Sequence, residues 1–599
     1  MIIAYLLRFE FAPPKEEIKL ALAFLIPFFI VRIISFVVGR TYAGIIRYTS
    51  TADTRRIFTV VSVGSIVFAL ANQLRFHFFD GLFFLPNSII VIDYLLTIFL
   101  MVVSRIAIKV LYLELKNPDK VQKRIIIFGA GEGGYITKRT IDRDGRSGMR
   151  VVAFLDDDRS KSGKKMEGAD IYHADKMAEL LASGNIDEII LATPGLSASR
   201  KAQLIKDALA FNVKVSQLPP ATQWIGGELS VKQIRDIKIE DLLGREPIKL
   251  DSAPVAAEIA GKRVLVTGAA GSIGSELVRQ IVSYKPSKLI VLDQAETPLF
   301  DLENELRDLD QEQVCEIAMG DVRQTDRMRR MIDYFKPQLV FHAAAYKHVP
   351  LMEDNPSEAI LANVLGTKNL ADLSDEFGVE KFVLISTDKA VNPTSVMGAT
   401  KRAAEIYVQS KDGLSKTKYI TTRFGNVLGS NGSVIPTFKR QIEAGGPITV
   451  THQDVTRYFM TIPEAVQLVL EAGAMGQGGE IFAFDMGESV KIIDLAKNMI
   501  QLSGLELGKD IEIKFTGLRP GEKLYEEVIS LQEKSRPTHH SKIVIAEVRS
   551  YNHDEVKVKI DELIKLFSGQ NNESLVSKLK ELIPEYVSNN SRFEQLDQK

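Results

Sequence analysis

The chain has 599 residues, 45% of them hydrophobic and 25% charged, with 75 basic and 76 acidic side chains and a single cysteine, Cys315. That length exceeds one hydrophobic core and predicts three or four units, while the near-zero charge balance leaves no global field for nucleic acid. One cysteine excludes an internal disulfide and any multi-cysteine metal site, in keeping with a reducing compartment, and Cys315 reads as a small buried apolar residue.

Residues 1–116 read as a transmembrane anchor. Between Ile18 and Val38 fifteen residues are Leu, Ile, Val or Phe, and Arg32 is the charge nearest the middle. At about −0.3 to −0.6 kcal/mol for each apolar residue against about +2.5 to +3.5 for a central Arg, insertion wins, and Arg32 is expected to snorkel toward the interface. Further spans are expected at 57–74 and 89–108, each near the length that a bilayer requires. In the last of these Asp93 is expected to be an interfacial anchor, with no partner at its depth. The initial Met1–Leu7 is too short to cross, so it is the end of a further span or an interfacial segment. Arg40, Arg47, Arg55 and Arg56 fall between the first two spans, and Lys109, Lys116, Lys120, Lys123 and Arg124 follow the third. The intervening loop has no Lys or Arg, which puts everything C-terminal on the cytoplasmic side of the inner membrane.

Over 120–250, a strand running into Gly129, Gly131 and Gly134, a second strand ending in Asp156, Asp157 and Asp158, and a third from Ile186 predict a parallel βαβ unit. The glycines suit a tight turn where a phosphate can meet a helix N-terminus. No acid or base follows at Thr193 and Pro194, so a structural or regulatory module and a nucleotide-binding one both fit.

From 258 to 540 a second doubly wound unit begins with Gly268, Gly271 and Gly274 in TGAAGSIG, flanked by Ser272 and Ile273, where a strand passes into a helix. Asp293 ends the next strand and would bind a ribose 2′-hydroxyl while repelling a 2′-phosphate, favouring NAD over NADP. Asp321 and Val322 are placed for the adenine. Ala343, Ala344 and Ala345 are small enough for the backbone to approach a dinucleotide, and Asn363 lies on the helix beyond. The stretch Lys381–Glu405 then supplies a buried strand, a polar end with Thr387, Asp388 and Lys389, and a helix bearing Met397 and Lys401 one turn apart.

TGAAGSIG, HAAAYKHVPLME, STDKAVNP, MGATKR, RFGNVLGSNGSVIP, TRYFMTIPEA and RPGEKLYEE together resemble the extended short-chain dehydrogenase/reductase superfamily. More narrowly they resemble the membrane-anchored nucleoside-diphosphate-sugar 4,6-dehydratases of bacterial surface-glycan synthesis. The resemblance covers essentially the whole chain. It implies an α/β fold with N-terminal transmembrane helices and two Rossmann-type doubly wound parallel-sheet domains, the second an extended dehydrogenase/reductase fold. It also implies a tightly bound NAD recycled at each turnover, a UDP-sugar substrate (UDP-GlcNAc first), a membrane partner, a homo-oligomer, and neither metal nor nucleic acid. In such a reaction C4 is oxidised so that the C5 proton becomes acidic, water leaves across C5 and C6, and the hydride returns to C6.

The resemblance makes Lys389 the base and Asp388 the acid. For that the lysine must be neutral and the aspartic acid protonated, so the pocket must push the two in opposite directions. Lys401, near the nicotinamide ribose, is expected to lower the pKa of Lys389. Where the superfamily has a tyrosine this chain has Met397, whose thioether carries no proton. Thr387, relaying through a ribose hydroxyl or Lys401, is the candidate for the C4 step. Lys347, Asn426, Ser433 and Val434 are expected at the substrate, Lys439, Arg457 and Arg519 at its diphosphate, and Glu522 at its ribose. Residues 541–599 read as a helical packing appendage with a disordered end. The competing readings are a 4-epimerase on the same scaffold, a polyprenyl-phosphate sugar transferase, and a non-catalytic NAD-binding scaffold.

Overall fold

The computed structural model describes residues 1–41, 51–116, 123–144, 148–224, 229–243, 252–309, 311, 313–530 and 533–597. Four helices open the chain: α1 (Ile2–Arg8), α2 (Lys15–Val38), α3 (Thr51–Phe78) and α4 (Asn87–Lys116). The last three are long and apolar enough to cross a membrane. The segment Met1–Leu7 folds as α1, whose Ala4 and Tyr5 are buried with Phe28, Leu85, Ile89 and Ile90.

Two expectations about these helices are corrected. Arg32 does not snorkel. It is buried, donating to Asp93 Oδ2 at 2.9 Å, Ser65 Oγ at 2.8 Å and the Val61 carbonyl at 3.2 Å, and its guanidinium lies 5.5 and 5.6 Å from the Phe28 and Phe68 rings. Asp93 is accordingly no interfacial anchor but the partner of Arg32, because neighbouring helices bring the two to one depth. An intramembrane charge is tolerated when it is paired in this way. Arg47 and Lys120, counted above for orientation, lie outside the described residues. Because removal of Asp93 strands both Arg32 and the Met1 ammonium that it meets at 2.5 Å, Asp93→Leu should cost about 3–5 kcal/mol, and Arg32→Leu with Asp93→Leu should recover the part due to Arg32. Thermal unfolding of the full chain in detergent checks this; equal losses in the single and double variants would reject the pair.

The first sheet has seven strands, β1 (Lys123–Phe128), β2 (Met149–Asp156), β3 (Lys165–Met166), β4 (Ala169–His173), β5 (Glu188–Leu191), β6 (Lys214–Gln217) and β7 (Arg235–Asp236), in the order β3-β4-β2-β1-β5-β6-β7. Gly129 closes β1 at φ +110, where a Cβ would lie 2.1 Å from Thr193 Oγ1, so only glycine fits.

The second sheet is built on β8 (Arg263–Thr267), β9 (Lys288–Asp293), β10 (Cys315–Met319), β11 (Leu339–His342), β12 (Lys381–Ile385) and β13 (Lys418–Arg423). These run parallel in the order β10-β9-β8-β11-β12-β13, and the sheet continues with Ile481–Phe484 and the antiparallel Ile543–Glu547 and Lys534–Pro537. Val264, Leu265, Val266, Leu289, Ile290, Val291 and Leu292 are all buried, as unbroken apolar strands must be when helices cover both faces. Strand order reverses between β8 and β11, and in such sheets ligands bind beyond the carboxyl ends at that switch point. Cys315 is half-buried on β10, which pushes its thiol up to about 11.

The helix Val396–Ser410, which carries Met397 and Lys401, is buried along almost its whole length. Part of what covers it is the C-terminal region. The helices His553–Lys565 and Asn572–Leu582 add Val556, Ile560, Leu563, Leu575, Val576 and Leu579 to the same core. In place of the expected loose end, residues 587–591 are stitched to three loops. Val587 and Asn589 donate backbone N–H groups to the Pro393 and Thr394 carbonyls. Gly521 N–H donates to the Asn589 carbonyl at 2.8 Å, the Asn589 side chain donates to Glu522 O at 2.8 Å, and Asn590 donates to Leu518 O. Ser591 Oγ donates to Glu353 at 2.6 Å, whose other oxygen takes the Val396 N–H. Charge content alone suggested disorder there, and these backbone pairings overrule it.

Candidate active site

The strand β12 delivers Asp388 and Lys389 to the carboxyl edge of the sheet. Ser386 N–H donates to Thr422 O at 2.7 Å and Asp388 N–H to Phe424 O at 3.1 Å, so the polar end stays registered on β13. Thr387 caps the short turn Asp388–Ala390 and donates its hydroxyl to Asp388 Oδ1 at 2.9 Å. Asp388 is fully buried, and its Oδ2 has no hydrogen-bond partner among the described residues. A Cβ on Gly425 would lie 2.9 Å from that oxygen, so glycine keeps the space beside it open.

Lys389 meets three oxygens, Asp388 Oδ1 and Asn426 Oδ1 at 3.0 Å each and Glu526 Oε1 at 3.4 Å. Burial pulls its pKa down, but the carboxylates of Asp388 and Glu526 outweigh that, and it stands above the ordinary lysine value. This corrects the expectation of an amine pushed toward neutrality. Lys401 is not the cation that faces it. Its Nζ donates to the Ile385 carbonyl at 2.7 Å, and burial, partly offset by Glu405, brings it down to about 8. The cations near Lys389 are Arg457 and Lys523. The Thr387 hydroxyl is directed to Asp388, not to Lys401, which alters the expected relay. Met397 is packed into the core.

Beneath this edge is an ion network. Glu405, buried one turn after Lys401, accepts from Ser386 Oγ at 2.6 Å, from Arg423 Nε at 2.8 Å and from Arg402 at 2.9 Å, while Arg423 also reaches Glu533 at 3.0 Å.

The glycine turn after β8 has the shape that a dinucleotide needs. Gly268 is at φ +65, and a Cβ there would lie 2.6 Å from Ala344 N; a Cβ on Gly274 would lie 2.0 Å from Gly268 O. Gly271 precedes the helix Ser272–Ser283, which Ile273 and Gly274 enter. Asp293 takes one backbone N–H on each oxygen, from Ala270 and Ala295 at 2.9 Å, so further lone pairs remain for ribose hydroxyls. Ala343, Ala344 and Ala345 leave β11 beside this turn. His342, buried between the hydroxyls of Thr267 at 2.7 Å and Thr367 at 3.0 Å, is held neutral, its pKa pushed by burial and by Lys401 to about 3. Asp321 is paired with Arg323, which, with a backbone N–H, outweighs burial and keeps its carboxyl below the usual range; Val322 is buried beside Gly366. Asn363 spends its amide on the Tyr346 backbone and Thr400, bracing the β11 end against the Met397 helix. In the first sheet the corresponding acid, Asp156, takes the Ala130 N–H at 2.7 Å but also the Lys161 ammonium at 2.9 Å, whereas Asp293 meets no cation among the described residues.

The expected substrate residues divide. The loop Gly429–Ser433 lies over the glycine turn, with Asn431 N–H donating to Ser272 Oγ at 3.2 Å, and a Cβ on Gly432 would meet the His348 ring. Ser433 and Val434 begin the next helix, where Ser433 Oγ is buried without a partner among the described residues. Lys347 lies near this loop's partner, His348, on the exposed edge. Lys439 is solvated, 73% exposed, with Glu443 at 3.9 Å. Arg457 is buried and grips the Leu524 and Lys523 carbonyls and Glu522. Arg519 is exposed and pairs with Glu522, which also takes Thr451 Oγ1, so both Glu522 oxygens hold the loop. Glu526 and Glu405 went unassigned in the sequence reading although RPGEKLYEE and the helical spacing from Lys401 contain them; nothing local marks which distant lysine or arginine each meets.

Residues 264–548 match a family model described as a polysaccharide biosynthesis protein, and residues 41–218 one described as a CoA-binding domain. The chain is 46% identical over 457 residues to the capsular polysaccharide biosynthesis protein CapD of Staphylococcus aureus, covering 75% of this chain and 76% of that protein. This chain belongs to the polysaccharide biosynthesis protein family. As a member it is a nucleoside-diphosphate-sugar enzyme of the dehydratase/epimerase type. Over 278 residues it is 37% identical to a UDP-N-acetylglucosamine 4,6-dehydratase (inverting) of Campylobacter jejuni, covering 45% of this chain and 78% of that one. Over 290 residues it is 35% identical to a UDP-glucose 4-epimerase of Rickettsia canadensis, covering 46% and 80%.

Proposed function

We propose that this family member carries out NAD-dependent 4,6-dehydration of a UDP-N-acetylhexosamine, UDP-GlcNAc first, for surface-glycan synthesis, with its catalytic part on the cytoplasmic side of the inner membrane. The observation that carries the reading is the hydrogen-bonded Asp388–Lys389 pair at the strand end, with one Asp388 oxygen buried, unpartnered among the described residues and facing space that Gly425 leaves open. A 4-epimerase needs only a group for the C4 proton, whereas an acid and an amine side by side suit removal of a proton and a hydroxyl from adjacent carbons.

NAD, when bound, takes a hydrogen and two electrons from C4 and gives them back at C6. Gly268, Gly271, Ser272, Ile273, Gly274 and Asp293 would hold it, with Asp321 and Val322 at the adenine, Ala343, Ala344, Ala345 and Asn363 along its path, and Lys401 at its ribose. Thr387 passes the C4 hydroxyl proton to the Asp388 carboxylate that it already bonds. Neutral Lys389 takes the C5 proton, Asp388 gives its proton to the C6 oxygen, and water leaves. Lys389 then returns a proton to C5, and both groups end as they began. Asn426 fixes Lys389, and the loop Gly429–Ser433 with Arg519 and Lys347 frames the diphosphate.

Incubation of the full chain with UDP-GlcNAc decides between readings by mass. A product lighter by one water is expected; an isomer of unchanged mass would favour the epimerase, and no change a scaffold.

A further inference from the structure

Resting on the dehydration reading, the proton sequence above begins with Lys389 neutral and Asp388 ionised, one proton fewer than the ion pair in the structure. The Lys389 ammonium donates hydrogen bonds to Asp388 and Asn426 and is ion-paired with Glu526 at 3.4 Å, and while it stays protonated it has no lone pair for C5. For the amine to be released without solvent, one of the three takes the proton. Asn426 cannot, and Asp388 must remain free to receive the C4 proton.

We infer that Glu526 is the store for that proton: Lys389 gives an ammonium hydrogen to Glu526, becoming a free amine, and the pair holds one proton until Lys389 takes a second from C5 and holds one again once that proton is returned. The transfer is balanced within the protein. One N–H bond breaks, one O–H bond forms, and no outside acid or base is needed. Glu526 acts through Lys389 and not on the sugar. Its Oε1 is 3.4 Å from Lys389 Nζ and 3.8 Å from Arg457 Nε, and its Oε2 is buried without a hydrogen-bond partner among the described residues. The charged groups facing it are Lys389, Asp388, Arg457 and Lys523. Burial and the Asp388 charge raise its carboxyl above the usual range against the pull of Lys389 and Arg457, in the direction that lets it keep a proton near neutral pH. A neutral acid is also cheaper to bury than a carboxylate.

The test is the pH dependence of kcat in the full-length protein with UDP-GlcNAc. In the wild type the proton only moves between Lys389 and Glu526, so kcat should be flat across the range in which they hold it jointly. In Glu526→Gln the amide takes no proton, Lys389 must lose its own to solvent, and kcat should rise about tenfold per pH unit below the Lys389 pKa. Glu526→Asp, which restores a carboxylate, should return the flat profile at a lower rate. Competitive acetylation of Lys389 with acetic anhydride, read by mass spectrometry, should shift its midpoint to lower pH in Glu526→Gln. Superimposable wild-type and Glu526→Gln rate profiles with an unmoved acetylation midpoint would overturn the inference. Should the wild type release no water from UDP-GlcNAc, the dehydration reading fails, while a moved midpoint still upholds the coupling of Glu526 to Lys389.

Discussion

Asp388→Asn is expected to lower dehydration by about 10²–10⁴-fold, the usual worth of a positioned general acid, with thermal stability close to wild type because the amide is isosteric. Lys389→Met should lose a similar factor. The informative measurement is the double variant. If the two side chains act on the same sugar in one sequence of proton transfers, the second substitution has little left to remove, and the double variant should fall no further than the worse single one. If the losses instead multiply, the two act independently and the shared mechanism is wrong. A wild-type rate in either single variant would remove the pair from the chemistry altogether.

A large effect on stability is also expected at Glu405. Glu405→Ala leaves the fully buried Arg423 and its neighbour Arg402 without the carboxylate that joins them, which should cost about 3–5 kcal/mol. Replacing both, Glu405→Leu with Arg423→Met, should recover the part due to the fully buried Arg423, while Arg402 keeps Glu585 and Glu533 loses its arginine. The same site predicts a pH dependence. Burial would raise the Glu405 carboxyl, but Arg423, Arg402 and the Ser386 hydrogen bond bring it down to about 2, against about 4.3 when unfolded. A folded value below the unfolded one means that the contribution is full above about pH 4.3 and is lost as pH falls toward 2, amounting to about 3 kcal/mol. Acid unfolding of Glu405→Gln should therefore lack most of the steep loss that the wild type shows in that window. Parallel acid-unfolding curves would show that the carboxylate contributes no more than its shape.

The parts of this molecule that were legible in the sequence are those fixed by neighbours along the chain. TGAAGSIG predicts a strand, a turn and a helix because only glycine tolerates φ +65 at Gly268 and the close approach of Ala344. The three helices long and apolar enough to cross a membrane declare themselves through length and hydropathy, and the strand that ends in Asp388 and Lys389 through its apolar run. What stayed hidden depends on which remote residue is met. Lys389 finds Glu526 more than a hundred positions downstream, Arg423 finds Glu533, and Arg32 finds Asp93 across two helices. Composition says that each charge exists; only the packing says which ones neutralise each other. The protonation of Lys389 was misjudged for this reason, since the expectation placed Lys401 beside it and omitted the second carboxylate. Lys439, a plausible phosphate ligand by sequence position, points to solvent because its helix turns its apolar face inward.

The hydrogen bonds from residues 587–591 to the Pro393, Leu518, Glu522 and Glu353 segments give genetics an unusual map. Alleles at Asn589, Asn590 or Ser591 lie about two hundred codons from the acid and amine pair, yet their hydrogen bonds reach Thr394, just past that pair, the Leu518–Glu522 segment that carries Arg519, and Glu353. A screen for weakened substrate affinity should return them together with alleles at Arg519, while a screen for unfolded protein should pass them by.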